Sequence, residues 1–312
     1  MALTKEQVLT VLQLPDFGRE QALGLIQFAS KIDLSISTDK ELMELIDTAF
    51  DEGYISNIPE YYLSDFTRCR AKAEHIIEEC GHHRISITMY GDEKFPRQYH
   101  SLIMQGKESC PVLLYYKGDI RKVCSMPGVA VIGTRRVTKE GFADGEYFAR
   151  LLAQQDCNVI SGLAIGADTA AHNGALSARG TTTAITAYGL DVTPRNNAYL
   201  LRQIVAEGGL LLTEYEPGVR ECTATLVERD RLQSGLADAV LLVQSDDKKG
   251  GSMHAVRTAI ENHKPVFAVD YRGTQLAGHP MTQGNLRLIR ESKAIPVNRQ
   301  TVQKIIDRIG HE

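Results

Sequence analysis

Short apolar runs alternate regularly with amphipathic segments from Val129 to Val297. Runs that are apolar throughout predict strands buried on both faces, and the longer segments between them predict covering helices. The predicted strands are residues 129–132, 158–161, 182–187, 210–213, 239–243, 266–269 and 294–297. The predicted helices are residues 139–155, 168–179, 198–206, 228–236, 253–262 and 285–291. The alternation therefore predicts an α/β fold with a doubly wound, mostly parallel, Rossmann-like sheet.

The chain before this region has a different pattern. Apolar residues stand three and four apart in segments 5–14, 19–30, 39–50 and 64–80, as in amphipathic helices. Thr4 and Thr38 precede two of these segments and are expected N-caps. Residues 85–89 and 112–116 are short β-prone runs. We therefore predict a small all-α domain at residues 1–82, followed by the α/β domain at residues 83–312.

Composition excludes several classes of protein. Of the 312 residues, 43% are hydrophobic and 24% are charged, which is typical of a globular protein in water. No apolar run reaches the roughly 18 residues that a membrane span needs, and the N-terminus does not resemble a secretory signal. The six cysteines form no CxxC pair, which favours free thiols in a reducing compartment. We expect a cytoplasmic protein that does not contact membranes.

Charge is distributed unevenly along the chain. The net charge is −4, but residues 1–100 hold 10 Lys and Arg against 17 Asp and Glu, whereas the remainder holds 25 against 22. The C-terminal part is therefore mildly basic, and a local basic patch there could attract phosphates. The acidity of the N-terminal helices favours a contact with protein over one with DNA.

The first predicted strand ends in the turn Gly133-Thr134-Arg135-Arg136. Doubly wound sheets bind ligands at the carboxyl ends of their strands, where this turn lies. Glycine lets the backbone approach a ligand closely, and the helix N-terminus that follows favours anions. All four residues are therefore candidates for binding phosphate. The alternative is a plain tight turn with solvated arginines.

A second candidate cradle follows the next strand. Ser161, Gly162 and Gly166 precede Asp168, which stands at a capping position, so that backbone N–H groups can surround an anion. His172 lies four residues after Asp168, on the same helix face. We expect a structural hydrogen bond between His172 and Asp168, with a metal pair or a general base as the alternatives.

A third candidate turn, Gly250-Gly251-Ser252, opens a later helix, and Lys249 adds charge beside it. Asp246 and Asp247 would repel phosphate if they faced the same cleft. Arg229 and Arg231 stand two residues apart, so they do not share a helix face. We expect one of these arginines to reach a ligand while the other pairs with an acid.

These turns differ from the best-known nucleotide motifs. A single glycine-rich turn is weak evidence, but three turns at strand ends indicate a phosphate site. The first strand is not followed by G-x-G-x-x-G, and the chain has no G-x-x-x-x-G-K-[ST]. NAD binding and a P-loop ATPase are therefore disfavoured. We expect no cofactor, no metal and no catalytic residue.

Taken in order, these segments resemble the DNA-processing protein A (DprA/Smf) family from about residue 85 to residue 297. The matching segments are Phe95-Pro96, Pro111 to Asp119, Val131 to Arg135, Ser161 to Asp168, Ala171-His172, Tyr188 to Asp191 with Pro194, Thr213 to Gly218, Arg229-Asp230-Arg231, Gly251-Ser252 and Gly284-Asn285. The resemblance implies a non-enzymatic protein that binds single-stranded DNA, forms a homodimer and loads a RecA-type recombinase in natural transformation. It also implies a helical N-terminal domain of the sterile-alpha-motif-like kind.

The resemblance assigns DNA contacts to particular residues. They are Gly133, Arg135, Ser161, Gly162, Gly166, Arg231 and Gly251-Ser252, with Lys249 added from its position. Tyr188 is the aromatic residue expected to pack on a base, and a core or rim position is its alternative. After Val297 we expect one short helix, without the winged-helix domain that many members carry.

Several positions depart from the family pattern, and these include three in the predicted cleft. The family usually has Arg at the position of Ile165, Ile at that of Ala167 and Asn at that of Asp230. Losing an Arg and gaining an Asp lowers the positive charge of the cleft, and each lost phosphate contact flattens the salt dependence of binding by about one unit. We interpret the chain as a diverged branch, for which phage defence or regulation is an alternative role.

Two other functions stay open. The same cleft would suit a sensor of a small nucleotide signal in a defence system. The fold also resembles that of cytokinin-activating phosphoribohydrolases, but their Pro-Gly-Gly-x-Gly-Thr-x-x-Glu turn is replaced here by residues 250–256. Glu214 or Glu216 would have to supply the missing acid.

Overall fold

The computed structural model describes residues 3–32, 35–247 and 251–309. The helices are α1 Lys5–Leu12, α2 Arg19–Ala29, α3 Asp39–Asp51, α4 Leu63–His82, α5 Ile120–Cys124, α6 Lys139–Gln154, α7 Ala167–Ser177, α8 Ala198–Ala206, α9 Thr223–Leu236, α10 Ser252–Glu261, α11 Gln283–Arg290 and α12 Gln303–Ile309. The strands are β1 Ser86–Met89, β2 Ile103–Met104, β3 Lys107–Glu108, β4 Leu113–Lys117, β5 Gly128–Ile132, β6 Asn158–Ser161, β7 Thr182–Ile185, β8 Leu210–Thr213, β9 Ala239–Leu242, β10 Val266–Val269 and β11 Ile295–Val297.

The chain divides into two compact units. The N-terminal unit comprises Met1–Phe95 and Pro111–Tyr115, and the sheet unit comprises Pro96–Cys110 and Tyr116–Glu312. The predicted domain boundary between residues 82 and 83 stays a prediction. The contacts place β1, which follows that boundary, in the N-terminal unit with the helices.

Side chains cap the first and third helices of the N-terminal unit. Thr4 Oγ1 accepts from the backbone N–H of Gln7 at 3.2 Å, and Gln7 Oε1 accepts from the N–H of Thr4 at 2.8 Å. Thr38 and Glu41 form the same reciprocal pair at 3.2 and 2.9 Å. Each box satisfies N–H groups that a helix leaves free at its start. The predicted N-caps Thr4 and Thr38 are therefore confirmed.

Apolar residues of all four helices build the core of the N-terminal unit. Val8, Leu25, Ile46 and Phe66 come one from each helix, and all are fully buried. β1 and β4 lie side by side in the same unit. The four predicted helices and the two β-prone runs are thus present.

The sheet unit is built on parallel strands in the order β8-β7-β6-β5-β9-β10-β11. Residues of β5 to β10 are almost completely buried, as expected when helices cover both faces, whereas the edge strand β11 is partly exposed. The predicted doubly wound sheet is therefore confirmed. The short antiparallel hairpin of β2 and β3 was not predicted, since its strands are two residues long.

Two covering helices, α6 and α7, pack at very short distance. A Cβ atom at Gly174 would lie 2.4 Å from the backbone oxygen of Glu146 and 2.8 Å from Cβ of Ala149. Only glycine fits at this crossing. Phe148 and Leu152 of α6 extend from it into the core of the sheet unit.

The prediction that a helix begins at Glu228 was wrong, since α9 begins at Thr223. The β-branched residues Thr223 and Thr225 lower helix propensity and hide the start from periodicity. The helix forms there because Thr225 Oγ1 accepts from the N–H of Cys222 at 2.9 Å. The consequence is that Thr223 and Leu226 reach the region of the candidate site.

None of the helices within residues 3–32, 35–247 and 251–309 is both long and apolar enough to span a membrane.

Asn285 joins the ends of two strands from inside the protein. Its Nδ2 donates to the carbonyl oxygens of Leu242, Val243 and Val269 at 3.1, 2.9 and 3.1 Å. Its Oδ1 accepts from the N–H of Ser245 at 3.0 Å. This fully buried amide therefore satisfies backbone groups that have left the β-ladder, and it fixes the segment after β9.

We expect Asn285→Ala to destabilise the sheet unit by about 3 kcal/mol or more, because each buried polar group that loses its partner costs about 1–3 kcal/mol. Urea unfolding followed by far-UV circular dichroism measures the change. Asn57→Ala, at an exposed position of the N-terminal unit, is the matched control and should leave stability unchanged. A loss below about 1 kcal/mol for Asn285→Ala would contradict this structural role.

Candidate phosphate-binding cleft

A cavity of about 430 Å³ opens beyond the carboxyl ends of β5 and β9. The strand order reverses here, since β5 to β8 extend the sheet in one direction and β9 to β11 in the other. Doubly wound sheets bind ligands at such a point. The predicted site residues that line this switch-point cavity are Gly133, Thr134, Arg135, Arg136, Asp168, Arg229, Gly251 and Ser252.

The N-terminus of α6 is not the anion site that the sequence predicts behind the first turn. Thr138 Oγ1 accepts from the N–H of Gly141 at 3.0 Å, and Gln244 Oε1 accepts from the N–H of Thr138 at 2.9 Å. Side chains of the protein therefore occupy this helix end. The first turn contributes its two arginines, which are exposed, and the hydroxyl of Thr134, which accepts from the N–H of Arg136 at 3.1 Å.

The N-terminus of α10 lies at the cavity. Gly251 and Ser252 line the switch-point cavity, and no side chain of the described residues caps the helix. The positive end of the helix dipole favours an anion at this place. The described part of the third predicted turn therefore lies where a phosphate is stabilised. Its other predicted members, Lys249 and Gly250, lie outside the described residues.

Gly166 fastens the second turn to the first. Its φ angle is +89°, and a Cβ atom here would lie 2.6 Å from the oxygen of Thr134 and 2.7 Å from that of Arg135. A side chain would be strained and would push the turn away. Gly166 therefore lets the first two turns pack closely together, and it is not among the residues that line the cavity.

Two further predicted residues of the second turn have packing roles. Ser161 is buried, and its hydroxyl donates to the carbonyl oxygen of Val131 at 2.7 Å, which ties β6 to β5. A Cβ atom at Gly162 would lie only 1.5 Å from Nη1 of Arg229. Gly162 thus makes room for a guanidinium group at the edge of the cleft.

The two arginines of α9 have different surroundings, and one of them pairs with an acid as predicted. Arg231 is fully buried and forms a bidentate pair with Glu214, at 2.6 and 2.8 Å, and it donates to Ser109 Oγ at 2.9 Å. Arg229 lines the cavity and donates to the carbonyl oxygen of Ile185 at 2.9 Å. Arg231 therefore supports the fold, which corrects its expected contact with DNA, and Arg229 is the arginine of the cleft.

Arginines and aspartates alternate around the switch-point cavity. The cations are Arg135, Arg136 and Arg229, and the anions are Asp168, Asp230 and Asp246. Arg136 lies 4.0 Å from Asp246, which faces the cavity as the sequence analysis considered. Asp247 instead forms an ion pair with Arg287. The formal charges of the described lining therefore balance at high pH.

Burial disfavours the charged form of two of these acids. It raises the pKa of Asp230 to about 7, and the neighbouring Asp168 raises it too, whereas Arg229 and Arg135 lower it. Burial also raises the pKa of Asp168. Asp230 Oδ1 lies 3.3 Å from Nε of Arg229 and accepts from Gln233 at 3.0 Å. A proton on Asp230 at mildly acidic pH leaves the lining with net positive charge.

The expected hydrogen bond between His172 and Asp168 was wrong. His172 is fully buried, and its Nδ1 lies 2.7 Å from Oγ1 of Thr182. Asp168 accepts from the N–H of Ala164 at 3.2 Å instead. Burial, together with Arg229, lowers the pKa of His172 to about 3, so the ring stays neutral and structural. Within the described residues no cluster of three or more metal-ligating side chains occurs.

A second hollow, of about 80 Å³, adjoins the cavity and shares Arg135 and Arg229 with it. Ile165, Tyr188 and Arg195 also line this hollow. Tyr188 is only 6% exposed, so its rim position offers little ring surface to a base. The sequence analysis overlooked Arg195, an exposed cation in the loop after β7. The position of Arg195 in the sequence, beyond the carboxyl end of a predicted parallel strand, is the feature that could have identified it as a site residue.

The substituted positions have different environments. Ala167 is fully buried, and its Cβ lies where a side chain at Gly133 would begin. Ile165 is 45% exposed at the second hollow, where an arginine would add a cation. Asp230 places an ionisable group inside the cleft. The substitutions at 165 and 230 therefore act on the charge of the cleft, and that at 167 acts on packing.

Known proteins resemble this chain in sequence and fold. The DNA processing protein DprA of Streptococcus pneumoniae is 33% identical over 192 residues, which are 62% of this chain and 66% of that protein. The X-ray structure of DNA processing protein A from the same species has a TM-score of 0.78, at 24% identity and with full coverage of both chains. DNA processing protein A from Helicobacter pylori, a structure described for its single-stranded DNA binding mode, has a TM-score of 0.60 and 27% identity over 72% of this chain and 96% of that one.

The family model for DNA recombination-mediator protein A matches residues 86–310, which include the whole switch-point cavity. The chain therefore belongs to the DNA recombination-mediator protein A family.

Proposed function

We propose that this chain binds single-stranded DNA, without catalysis, as a component of DNA processing and recombination. One observation carries the proposal: the N-terminus of α10 and the exposed guanidinium groups of Arg135 and Arg136 converge on a single cavity. Phosphate is the group that such a set recognises, since helix N–H groups and arginines both donate to its oxygens.

The shape of the site supports a strand over an isolated phosphate. The switch-point cavity continues past Arg135 and Arg229 into the second hollow, where Arg195 supplies another cation. Proteins that bind single strands combine a positively charged groove with surfaces that pack on bases. The described binding mode of the Helicobacter pylori relative supports the same ligand.

The buried pair of Arg231 and Glu214 argues against the phosphoribohydrolase alternative. Both carboxylate oxygens of Glu214 accept from the guanidinium, so this carboxylate is held in a structural contact. Hydrolysis of a glycosidic bond would need an acid that can exchange a proton with substrate. Glu216 is the other candidate acid, and release of free base from nucleoside monophosphates would revive the enzyme. We propose a binding protein in preference to it.

A small nucleotide is the second candidate ligand. The volume of about 430 Å³ lies within the range of small-molecule sites, roughly 300–1,000 Å³. Calorimetry with a panel of mononucleotides distinguishes the two functions. Tight mononucleotide binding without oligonucleotide binding would favour a nucleotide sensor, including one in phage defence.

The family description, DNA recombination-mediator protein A, supports a wider role. We propose a cytoplasmic homodimer that delivers a RecA-type recombinase to single-stranded DNA, as in natural transformation. Light scattering of the purified protein measures its oligomeric state. Co-sedimentation with recombinase and oligonucleotide measures delivery, and a recombinase that fails to co-sediment would contradict this part of the proposal.

Arg135→Ala should weaken binding of a labelled oligo(dT) and flatten its salt dependence by about one unit, because one phosphate contact is lost. Fluorescence anisotropy across a salt series measures both quantities. Arg121→Ala, which removes an exposed arginine of α5 outside the cleft lining, should change neither. Absence of binding at low salt by the wild type and both variants would refute single-stranded DNA as the ligand.

Binding should also depend on pH through Asp230. Below pH 7 its carboxyl is protonated and the arginines outweigh the acids; as pH rises through about 7 it ionises, and binding weakens. Asp230→Asn should bind as the wild type does near pH 6 and at least about fivefold more tightly at pH 8, since removal of one negative charge close to the ligand is worth about 1 kcal/mol or more.

The same oligonucleotide titration at the two pH values measures this difference. Asp51→Asn, which removes an exposed acid of the N-terminal unit, should reproduce the pH dependence of the wild type. An Asp230→Asn variant that keeps the full pH dependence would show that another group controls it.

A further inference from the structure

Tyr199, in the first turn of α8, has the most exposed large hydrophobic side chain of the described residues, at 72%. A single exposed apolar residue is common and assigns no function by itself. The informative feature is where the backbone holds this ring, which follows from the hydrogen bonds at the start of α8.

Asn197 attaches the start of α8 to the second turn of the cleft. Its Nδ2 donates to the carbonyl oxygen of Leu163 and to Oγ1 of Thr169, both at 2.9 Å. Thr169 Oγ1 in turn donates to the carbonyl oxygen of Ala164 at 2.8 Å. The first turn of α8 is therefore held against the loop that contains Ile165, at the edge of the second hollow.

Ile165 and Tyr199 each stand two residues from the atoms joined in this way. Asn196, which precedes Asn197, lines the second hollow, so α8 begins at the edge of that hollow. Ile165 is 45% exposed and lines the second hollow, and Tyr199 is more exposed still. Ile165 therefore presents apolar surface in the hollow, and Tyr199 presents an exposed ring three residues after a residue of its lining.

The charge around Tyr199 suits a polyanion. Arg195 precedes the helix and Arg202 lies three residues after Tyr199, and both are exposed. The sequence of α8 contains no acidic residue. Tyr62, the other strongly exposed tyrosine, is at 63% and has its hydroxyl bonded to Glu60 in the acidic N-terminal unit. Tyr199 therefore differs from Tyr62 in having exposed cations near it in the sequence and the cleft loop at the start of its helix.

We propose that Tyr199, together with the apolar surface of Ile165, forms a base-stacking subsite for a nucleotide that follows the phosphate held in the switch-point cavity. The inference rests on the proposed function and extends the footprint of the strand onto α8. Stacking tolerates any base, because every base presents a π-face. The subsite therefore adds affinity without sequence preference.

The test compares two oligonucleotides of equal length and phosphate number, oligo(dT) and a fully abasic strand. Tyr199→Ala should weaken oligo(dT) binding roughly fivefold or more, whereas Tyr199→Phe, which keeps the ring, should bind as the wild type does. Binding of the abasic strand should be equal for all three proteins, and the salt slope should stay constant, since no phosphate contact changes. Tyr62→Ala is the matched control for loss of an exposed tyrosine.

Each of the other outcomes contradicts either the stacking subsite or the proposed function. If Tyr199→Ala binds oligo(dT) as tightly as the wild type, the subsite is wrong and the proposed function stands. If it weakens oligo(dT) and abasic binding equally, the residue acts on the backbone path and stacking is wrong. If the wild type binds neither strand at low salt, the proposed function fails and the subsite fails with it.

Discussion

The reversal of strand order between β5 and β9 is the constraint on which the cleft depends. Right-handed crossovers send the helices after these two strands to opposite faces of the sheet, so no helix covers the gap between their ends. Loops with glycine and polar residues fill that place. Asn285 makes the gap rigid from below, since it satisfies carbonyl oxygens of β9 and β10 that would otherwise be buried without partners.

The number of arginines near the cleft overstates its positive charge, because the buried arginines are bonded to acids and backbone oxygens of the protein. The guanidinium group of Arg231 donates its hydrogen bonds to Glu214, to Ser109 and to a backbone carbonyl oxygen, so it contributes no donor to the cleft. Arg229 is shared between the backbone and Asp230, so a ligand would compete with the acid for it. Arg135 and Arg136 are exposed and need the least rearrangement to meet an anion.

The alternation of apolar runs was sufficient to predict the sheet, since a strand buried on both faces has few alternatives in sequence. The turns at strand ends followed from the same argument. What could not be predicted depends on the third dimension. The sequence predicted that one of Arg229 and Arg231 pairs with an acid, but it could not show which one. Only the packing of α9 shows that Arg231 faces Glu214. The partner of His172 lies on β7, beyond the reach of helical spacing. Arg195 could not be identified because its place in the lining of the second hollow depends on how the loop after β7 folds.

The contact between Gly162 and Arg229 links two positions that are far apart in the sequence. Any Cβ at 162 would occupy the volume that Nη1 of the arginine fills. The glycine after β6 and the guanidinium group of α9 therefore constrain each other. A side chain at residue 162 requires the guanidinium group of Arg229 to leave the position in which it donates to the carbonyl oxygen of Ile185. Among relatives, the two positions should behave as a single evolutionary character.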